Sequence, residues 1–146
     1  LFLYYTGITR NSKSILTDQE KGTSREDKFR VMTSIVNFVP QFIQSVLRGD
    51  IESCGSILDK NWELKKQMAV GITNEQIDEM YNYTKSAGAL GGKISGAGGG
   101  GFLLLVVPMK NQNNLFSVMS KFQELPFNIE PSGSKVIFDH RSSSAH

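Results

Sequence analysis

Ile94-Ser95-Gly96-Ala97-Gly98-Gly99-Gly100-Gly101 is the segment of this chain with the clearest chemical potential. Each glycine gives up more backbone freedom on folding than any other residue, so four in a row are costly. A purely structural turn rarely needs more than one or two. Such a run allows close backbone approach and positive φ, and it can turn several N–H groups into one concavity suited to phosphate or another anion. Lys93 precedes the run and adds a cation nearby. The segment does not end in Gly-Lys-Ser/Thr, so it is not a Walker loop. It does contain Gly96-x-Gly98-x-x-Gly101, but a dinucleotide fingerprint follows a strand and opens a helix. Here the glycines precede an apolar stretch, Phe102-Leu103-Leu104-Leu105-Val106-Val107, that reads as a strand. The plainer alternative is a tight bend beside a sheet.

Other reactive side chains are sparse. Cys54 is the only cysteine, and the two histidines, His140 and His146, lie at the C-terminal end. A disulfide, a zinc cluster and a histidine-based triad are therefore poor fits, and no metal site is expected. Asp59, Glu63, Asp78 and Glu79 fall on helical stretches and read as solvated faces. Asp50 and Glu52 suit a helix start. Cys54 lies on an apolar face and reads as core. Trp62 reads as core or an interface anchor. No residue is assigned a catalytic role. Tyr4, Tyr5, Thr6 and Arg10 form a polar-aromatic cluster near a strand end. Arg10 could clamp a phosphate or carboxylate, or be an ordinary surface arginine.

The elements that must position these residues divide the chain in two. Residues 1–6 favour a strand. Ser12 or Ser14 could cap a short helix through Ile15 and Leu16. Ser24 and Asp27 resemble a capping box before Phe29, Met32, Val36, Val39, Ile43, Val46 and Leu47, whose spacing is helical. Pro40 should kink that helix. Asp50 caps a second helix with Ile51, Cys54, Leu58 and Trp62 on one face, ended by Gly71. Thr73 and Gln76 have the spacing of a capping box for a third helix through Ile77, Met80, Tyr81 and Thr84. After the glycines come a strand at 102–107 with both faces covered, a helix through Leu115, Val118, Met119 and Phe122, and short strands at 127–129 and 136–138 around Pro131-Ser132-Gly133. Strand, helix, strand, strand after a helical first half predicts an α+β fold, a ferredoxin-like two-layer sandwich with additional helices in the N-terminal half.

Length and composition agree with one folded domain. The chain has 146 residues, 39% hydrophobic and 21% charged, with a net charge of +2. That balance is too even to imply a nucleic-acid partner. Eight of the 14 glycines lie within residues 88–101. No signal peptide is visible. The longest apolar run, residues 102–109, has eight residues, against about 20 needed to span a bilayer. No membrane association and a cytoplasmic location are expected. The chain opens without Met, inside a strand, as if cut or processed from a longer protein. The domain is placed at 1–140, with 141–146 a frayed or vector-derived tail.

Lys93-x-x-Gly96-Ala97-Gly98-Gly99-Gly100-Gly101-Phe102 resembles the third conserved motif of the GHMP small-molecule kinases, the superfamily of galactokinase, homoserine kinase, mevalonate kinase and phosphomevalonate kinase. Leu3-Tyr4-Tyr5-Thr6-Gly7-Ile8-Thr9-Arg10 with Ser14-Ile15-Leu16 resembles the start of the C-terminal half in its bacterial heptose 7-phosphate kinase and fucokinase-like branch. The resemblance covers roughly residues 1–140. It implies the C-terminal domain of an ATP-dependent sugar or sugar-phosphate kinase, using ATP and Mg2+ in the full-length enzyme. It places Gly96, Ala97, Gly98, Gly99, Gly100 and Gly101 beside the transferred phosphate, Lys93 at the base of that loop, and Thr9 and Arg10 near the sugar phosphate. The family's Pro-x-x-x-Gly-Leu-Gly-Ser-Ser phosphate loop has no counterpart here, so the chain alone is expected to be inactive and to bind no cofactor tightly. Two alternatives remain: another GHMP enzyme, of the mevalonate pathway or galactokinase-like, or a non-catalytic ferredoxin-like ligand-binding or regulatory module. Self-association through apolar surface is also expected.

Overall fold

The computed structural model describes residues 1–9 and 25–135. In chain order the elements are β1 (Phe2–Tyr5), α1 (Arg25–Leu47), α2 (Ile51–Lys66), α3 (Glu75–Ser86), β2 (Gly91–Ile94), β3 (Phe102–Val106), a 3-10 turn (Met109–Asn111) and α4 (Gln112–Val118). The sheet order is β1-β3-β2, with both pairings antiparallel. Beyond β1, the Tyr5 amide donates to the Gln123 carbonyl and the Leu125 amide to the Leu3 carbonyl, each at 2.8 Å. An antiparallel bridge joins Tyr4 and Glu124. Residues 123–125 thus hold the fourth position, and the arrangement is the α+β, ferredoxin-like one expected.

The register decides which side chains are buried. Phe2, Leu105 and Gly92 stand in one row across the strands, and Tyr4, Leu103 and Ile94 in the next row on the same face. That face meets Trp62 of α2, Ile77 and Met80 of α3, and Leu115 and Met119 at α4, all essentially inaccessible. Trp62 is therefore core, and its Nε1 has no hydrogen-bond partner among the described residues. Cys54 is buried and unpaired, as expected. The opposite face of β3 is buried at Val106 and half-buried at Phe102 and Leu104. The expectation that both faces of this strand are covered holds in full on the core face and in part on the other.

α2 lies against β2 with no room for side chains between them. A Cβ on Gly91 would fall 2.0 Å from the Gly55 carbonyl oxygen. Asp50 caps α2 as expected: its carboxylate accepts the Ser53 amide at 2.9 Å and the Ser53 hydroxyl at 2.6 Å. Those two bonds hold its pKa below the ordinary value. The helix ends at Lys66, before Gly71. At α3 the cap is Asn74, which accepts the Ile77 amide at 3.0 Å. The predicted cap residue Thr73 instead donates to Asp78 at 2.7 Å, and Gln76 donates to the Thr6 carbonyl at 3.1 Å.

α1 runs unbroken through Pro40. The ring leaves the Val36 carbonyl without its helical donor, and the Gln41 side-chain amide Nε2 donates to the neighbouring Asn37 carbonyl at 2.9 Å. The predicted apolar stripe is the outward one. Phe29, Met32, Val36, Val39, Ile43, Val46 and Leu47 are all at least 48% exposed. A second stripe, Val31, Ile35, Phe38, Phe42 and Ser45, is partly or fully buried. Residues 127–129 form no strand; the single bridge at Glu124 serves that edge. The expected helix at 12–16, the Ser24 cap, the strand at 136–138, the domain end at 140 and the tail 141–146 lie outside the described residues.

Candidate functional site

The glycine-rich segment is the connection of the β2–β3 hairpin, residues 95–101. It is pinned at both ends. The Ser95 amide donates to the Phe102 carbonyl at 2.8 Å, closing the hairpin. The Gly99 amide donates to the Ile72 carbonyl at 2.6 Å, and the Gly101 amide to the Ile8 carbonyl at 2.9 Å. The Gly101 carbonyl accepts from both the Thr6 amide at 2.9 Å and the Thr6 hydroxyl at 3.0 Å. The loop is therefore strapped between the segment after β1 and the turn before α3.

That strapping explains much of the glycine run. Gly98 has φ +104°, and a Cβ there would lie 2.9 Å from an Ile72 methyl carbon and 3.0 Å from the Ile72 carbonyl oxygen. At Gly100 it would lie 2.6 Å from the Ile8 carbonyl oxygen. Close backbone approach requires glycine at both places. Two of the loop amides, those of Gly99 and Gly101, are consumed by these contacts. The amides of Gly96, Ala97, Gly98 and Gly100 make no backbone hydrogen bond among the described residues. These four are the donors an anion could use.

Lys93 lies on β2, on the sheet face opposite the core, and its ammonium donates to the Asn61 amide oxygen at 3.3 Å. Thr9 is exposed and follows Ile8, which accepts from the loop. The segment carrying Thr9 is thus brought to the far end of the glycine loop. Arg10 lies outside the described residues.

Sequence reasoning missed Lys65. Its ammonium donates to the Gly96 carbonyl, so α2 holds the near end of the loop. Burial and then the charge of Lys93 push its pKa down to about 8; burial also lowers that of Lys93. The spacing Leu58, Asn61, Lys65, Met68 was the available signal, since it repeats one helix face directly beside the Trp62 face. Asp59, read as a solvated side chain, is not one. It accepts from the Tyr81 hydroxyl and, at 3.1 Å, from Lys85. The same hydroxyl receives the Gly92 amide at 3.2 Å, fixing the strand that leads into the loop. Its own pKa is raised, chiefly by burial and then by Asp59. Among the described residues no three His, Cys, Asp or Glu side chains are grouped to hold a metal ion. None of the described helices is long and apolar enough to cross a membrane.

The family profile described as GHMP kinases C terminal matches residues 42–125, from the end of α1 through the hairpin to the bridge strand. The chain belongs to the GHMP kinases. This GHMP chain is 31% identical over 121 residues to a D-glycero-alpha-D-manno-heptose 7-phosphate kinase of Campylobacter jejuni, covering 83% of the chain and 36% of that enzyme. It is 30% identical over 113 residues to a mevalonate kinase of Thermococcus gammatolerans, covering 73% of the chain and 33% of the enzyme. Among solved structures it resembles the Lin0012 protein of Listeria innocua, with TM-score 0.78 at 20% identity over 87% of the chain and 38% of that protein. It also resembles L. major mevalonate kinase in complex with R-mevalonate, with TM-score 0.68 at 19% identity over 84% of the chain and 40% of the enzyme. The structural likenesses establish the fold. The GHMP chain spans between a third and two fifths of the length of these relatives.

Proposed function

We propose that this GHMP domain forms the C-terminal half of a cytoplasmic ATP-dependent kinase that phosphorylates a hydroxyl of a small anionic metabolite. The observation that carries the reading is the strapped hairpin loop with four amides left to an anion, in a chain that matches the family profile. Mevalonate kinases recur among its relatives and its structural likenesses, which supports a mevalonate-type substrate. The heptose 7-phosphate reading is supported by the relative that covers 83% of the chain. Both names describe a small molecule carrying a hydroxyl and an anionic group.

In such a transfer the hydroxyl oxygen forms a bond to the γ-phosphorus as the bond to the β-phosphate oxygen breaks, and charge spreads over the equatorial oxygens. The amides of Gly96, Ala97, Gly98 and Gly100 would face those oxygens as a fixed set of donors that need no reorganisation. Thr9 would approach from the β1 side, and the family resemblance assigns Arg10 to the substrate's anionic group. Magnesium supplies charge neutralisation on the phosphates when bound; no described carboxylate cluster suits it, so its ligands and the catalytic base belong to the other half in this reading.

The test is a coupled ATP assay on the full-length protein with mevalonate, heptose 7-phosphate and galactose. Turnover with one of them is the expected result. The 146-residue chain alone should show none above a no-protein control. Turnover by that chain alone would overturn the division of labour. Lack of turnover by the full-length protein on a wide panel of small alcohols would favour the non-catalytic module.

A further inference from the structure

Beside the glycine loop, between α1, α2 and β2, lies a cavity of about 470 Å³. Its polar lining is Lys65, Lys93, Asn61 and Gly96; its apolar walls are Met32, Ile35, Met68 and Ala97. It adjoins a second hollow of about 320 Å³ that shares Ile35, Asn61 and Lys93 and continues along the groove between α1 and α2. Both ammonium groups are held in place by neutral oxygens, Lys65 by the Gly96 carbonyl and Lys93 by Asn61. Neither has a carboxylate partner among the described residues, unlike Lys66 with Glu63 and Lys85 with Asp59.

Two half-buried like charges facing one cavity are unfavourable without a counter-charge. We infer that Lys65 and Lys93 form a binding site for the phosphate group of a small phosphorylated metabolite, whose carbon body lies against Met32, Ile35 and Met68. A phosphate monoester carries close to two negative charges at neutral pH, which matches the two ammonium groups. The cavity volume falls in the range of small-molecule sites, about 300–1,000 Å³. The unpaired amides of Gly96 and Ala97 stand at its edge. The existence of this site is independent of the kinase reading; only its use by a kinase substrate rests on it.

Affinity should depend on pH with a definite sign. The pKa of Lys65, near 8, is set by burial and by Lys93 across from it on β2. α1 presents only Met32 and Ile35 to the cavity, the loop presents Gly96 and Ala97, and α2 itself adds Asn61 and Met68. Binding should therefore be strongest between about pH 6, where the phosphate gains its second charge, and about pH 8, and fall as the pH rises past that.

The experiment is a titration of the 146-residue chain with inorganic phosphate, mannose 6-phosphate and mannose at fixed ionic strength, followed by backbone amide and lysine side-chain resonances. Phosphate and mannose 6-phosphate should shift Gly96 and Ala97 saturably, and mannose should not. K65Q/K93Q should weaken binding at least tenfold. K65R/K93R should retain it, and K66Q should leave it unchanged. If the double glutamine variant fails to fold, K93Q alone and the pH titration of the wild-type chain decide the matter. Equal loss in K66Q, or displacement by chloride at matched concentration, would overturn the site. In the full-length protein, a raised KM for a phosphorylated substrate in K65R/K93Q identifies the substrate as the occupant. Unchanged KM with anion binding lost identifies a separate effector. Either result upholds the site.

Discussion

On α1, Phe29, Met32, Val36, Val39, Ile43 and Val46 stand about half-exposed or more, while in the β2–β3 hairpin a single added methyl at Gly98 or Gly100 would overlap a neighbouring carbonyl. The two regions differ in what holds them. The hairpin is fixed by close backbone approach and by bonds from segments distant in the chain, at Thr6, Ile8, Lys65 and Ile72. α1 is fixed along one stripe against α2 and is otherwise open. Substitution should therefore be punished in the hairpin and tolerated on the outward face of the helix, whatever the size or polarity of the residue.

The largest effect is expected at Gly98→Ala. The left-handed φ costs about 1–2 kcal/mol for a residue with a Cβ, and overlap with Ile72 adds about 1–3 kcal/mol. Urea unfolding should show a loss of about 2–5 kcal/mol. A loss under about 1 kcal/mol would mean the loop shifts freely and is not strapped. Gly96→Ala is the internal control, because a Cβ there meets nothing within 4 Å. It retains only the φ +81° penalty, so it should cost less than Gly98→Ala.

Phe38→Ala comes next. Phe38 lies on the buried-side stripe of α1 and is half-buried, whereas its neighbour Val39 is 54% exposed. Full burial of a phenylalanine is worth about 3–5 kcal/mol on truncation to alanine. Half-burial predicts about 1–2 kcal/mol by the same scale. Val39→Ala, one residue on and outward, should lie within about 0.5 kcal/mol of wild type. Equal effects at the two positions would erase the distinction between the stripes.

These two positions show how far the sequence could be read. Periodicity located α1 and its length, because a 3.6-residue repeat is a property of the helix alone. It did not choose the buried side. The helix carries two apolar stripes, and only the partner α2 decides between them. The glycine run was legible as a site because its entropic cost demands a reason. Half of that reason, close approach of Gly98 to Ile72 and of Gly100 to Ile8, depends on segments 26 and 92 residues away and no local signal marks it. Asp59 was misread for the same cause: its partners Tyr81 and Lys85 come from another helix. Short strands were the least legible. Gly91–Ile94 has two glycines and no alternation, yet pairs because β3 and the flat side of α2 leave room for nothing larger. Residues 127–129 have strand composition but pair with no strand, and the neighbouring residues 123–125 already hold the β1 edge.

The cap of α2 should respond to pH. Asp50 has its pKa lowered by the Ser53 hydroxyl and amide. A depressed carboxylate contributes stability above its unfolded pKa and loses it as pH falls through the folded value. Asp50→Ala should therefore lower Tm at pH 7, and the difference from wild type should vanish at a pH below the ordinary carboxylate range. A difference that persists unchanged at low pH would assign the effect to helix propensity and not to the charged cap.

The smallest effect on stability should accompany the clearest effect on association. Phe29, Met32, Val36, Val39, Ile43 and Val46 recur at spacings of 3 and 4, the pattern of a two-stranded helical seam. No charged residue lies between Arg30 and Arg48 to oppose pairing. Antiparallel contact of two copies would bring Glu26 of one α1 beside Arg48 of the other, whereas parallel contact would stack like ends. The chain should accordingly self-associate through α1. Val36→Lys with Ile43→Lys should leave the unfolding free energy within about 0.5 kcal/mol, as for exposed sites, and abolish the association. Sedimentation across a hundredfold concentration range checks both chains. A wild-type chain that stays monomeric throughout would leave the outward stripe of α1 without a second copy as its partner, and the contrast with the hairpin would then rest on stability alone.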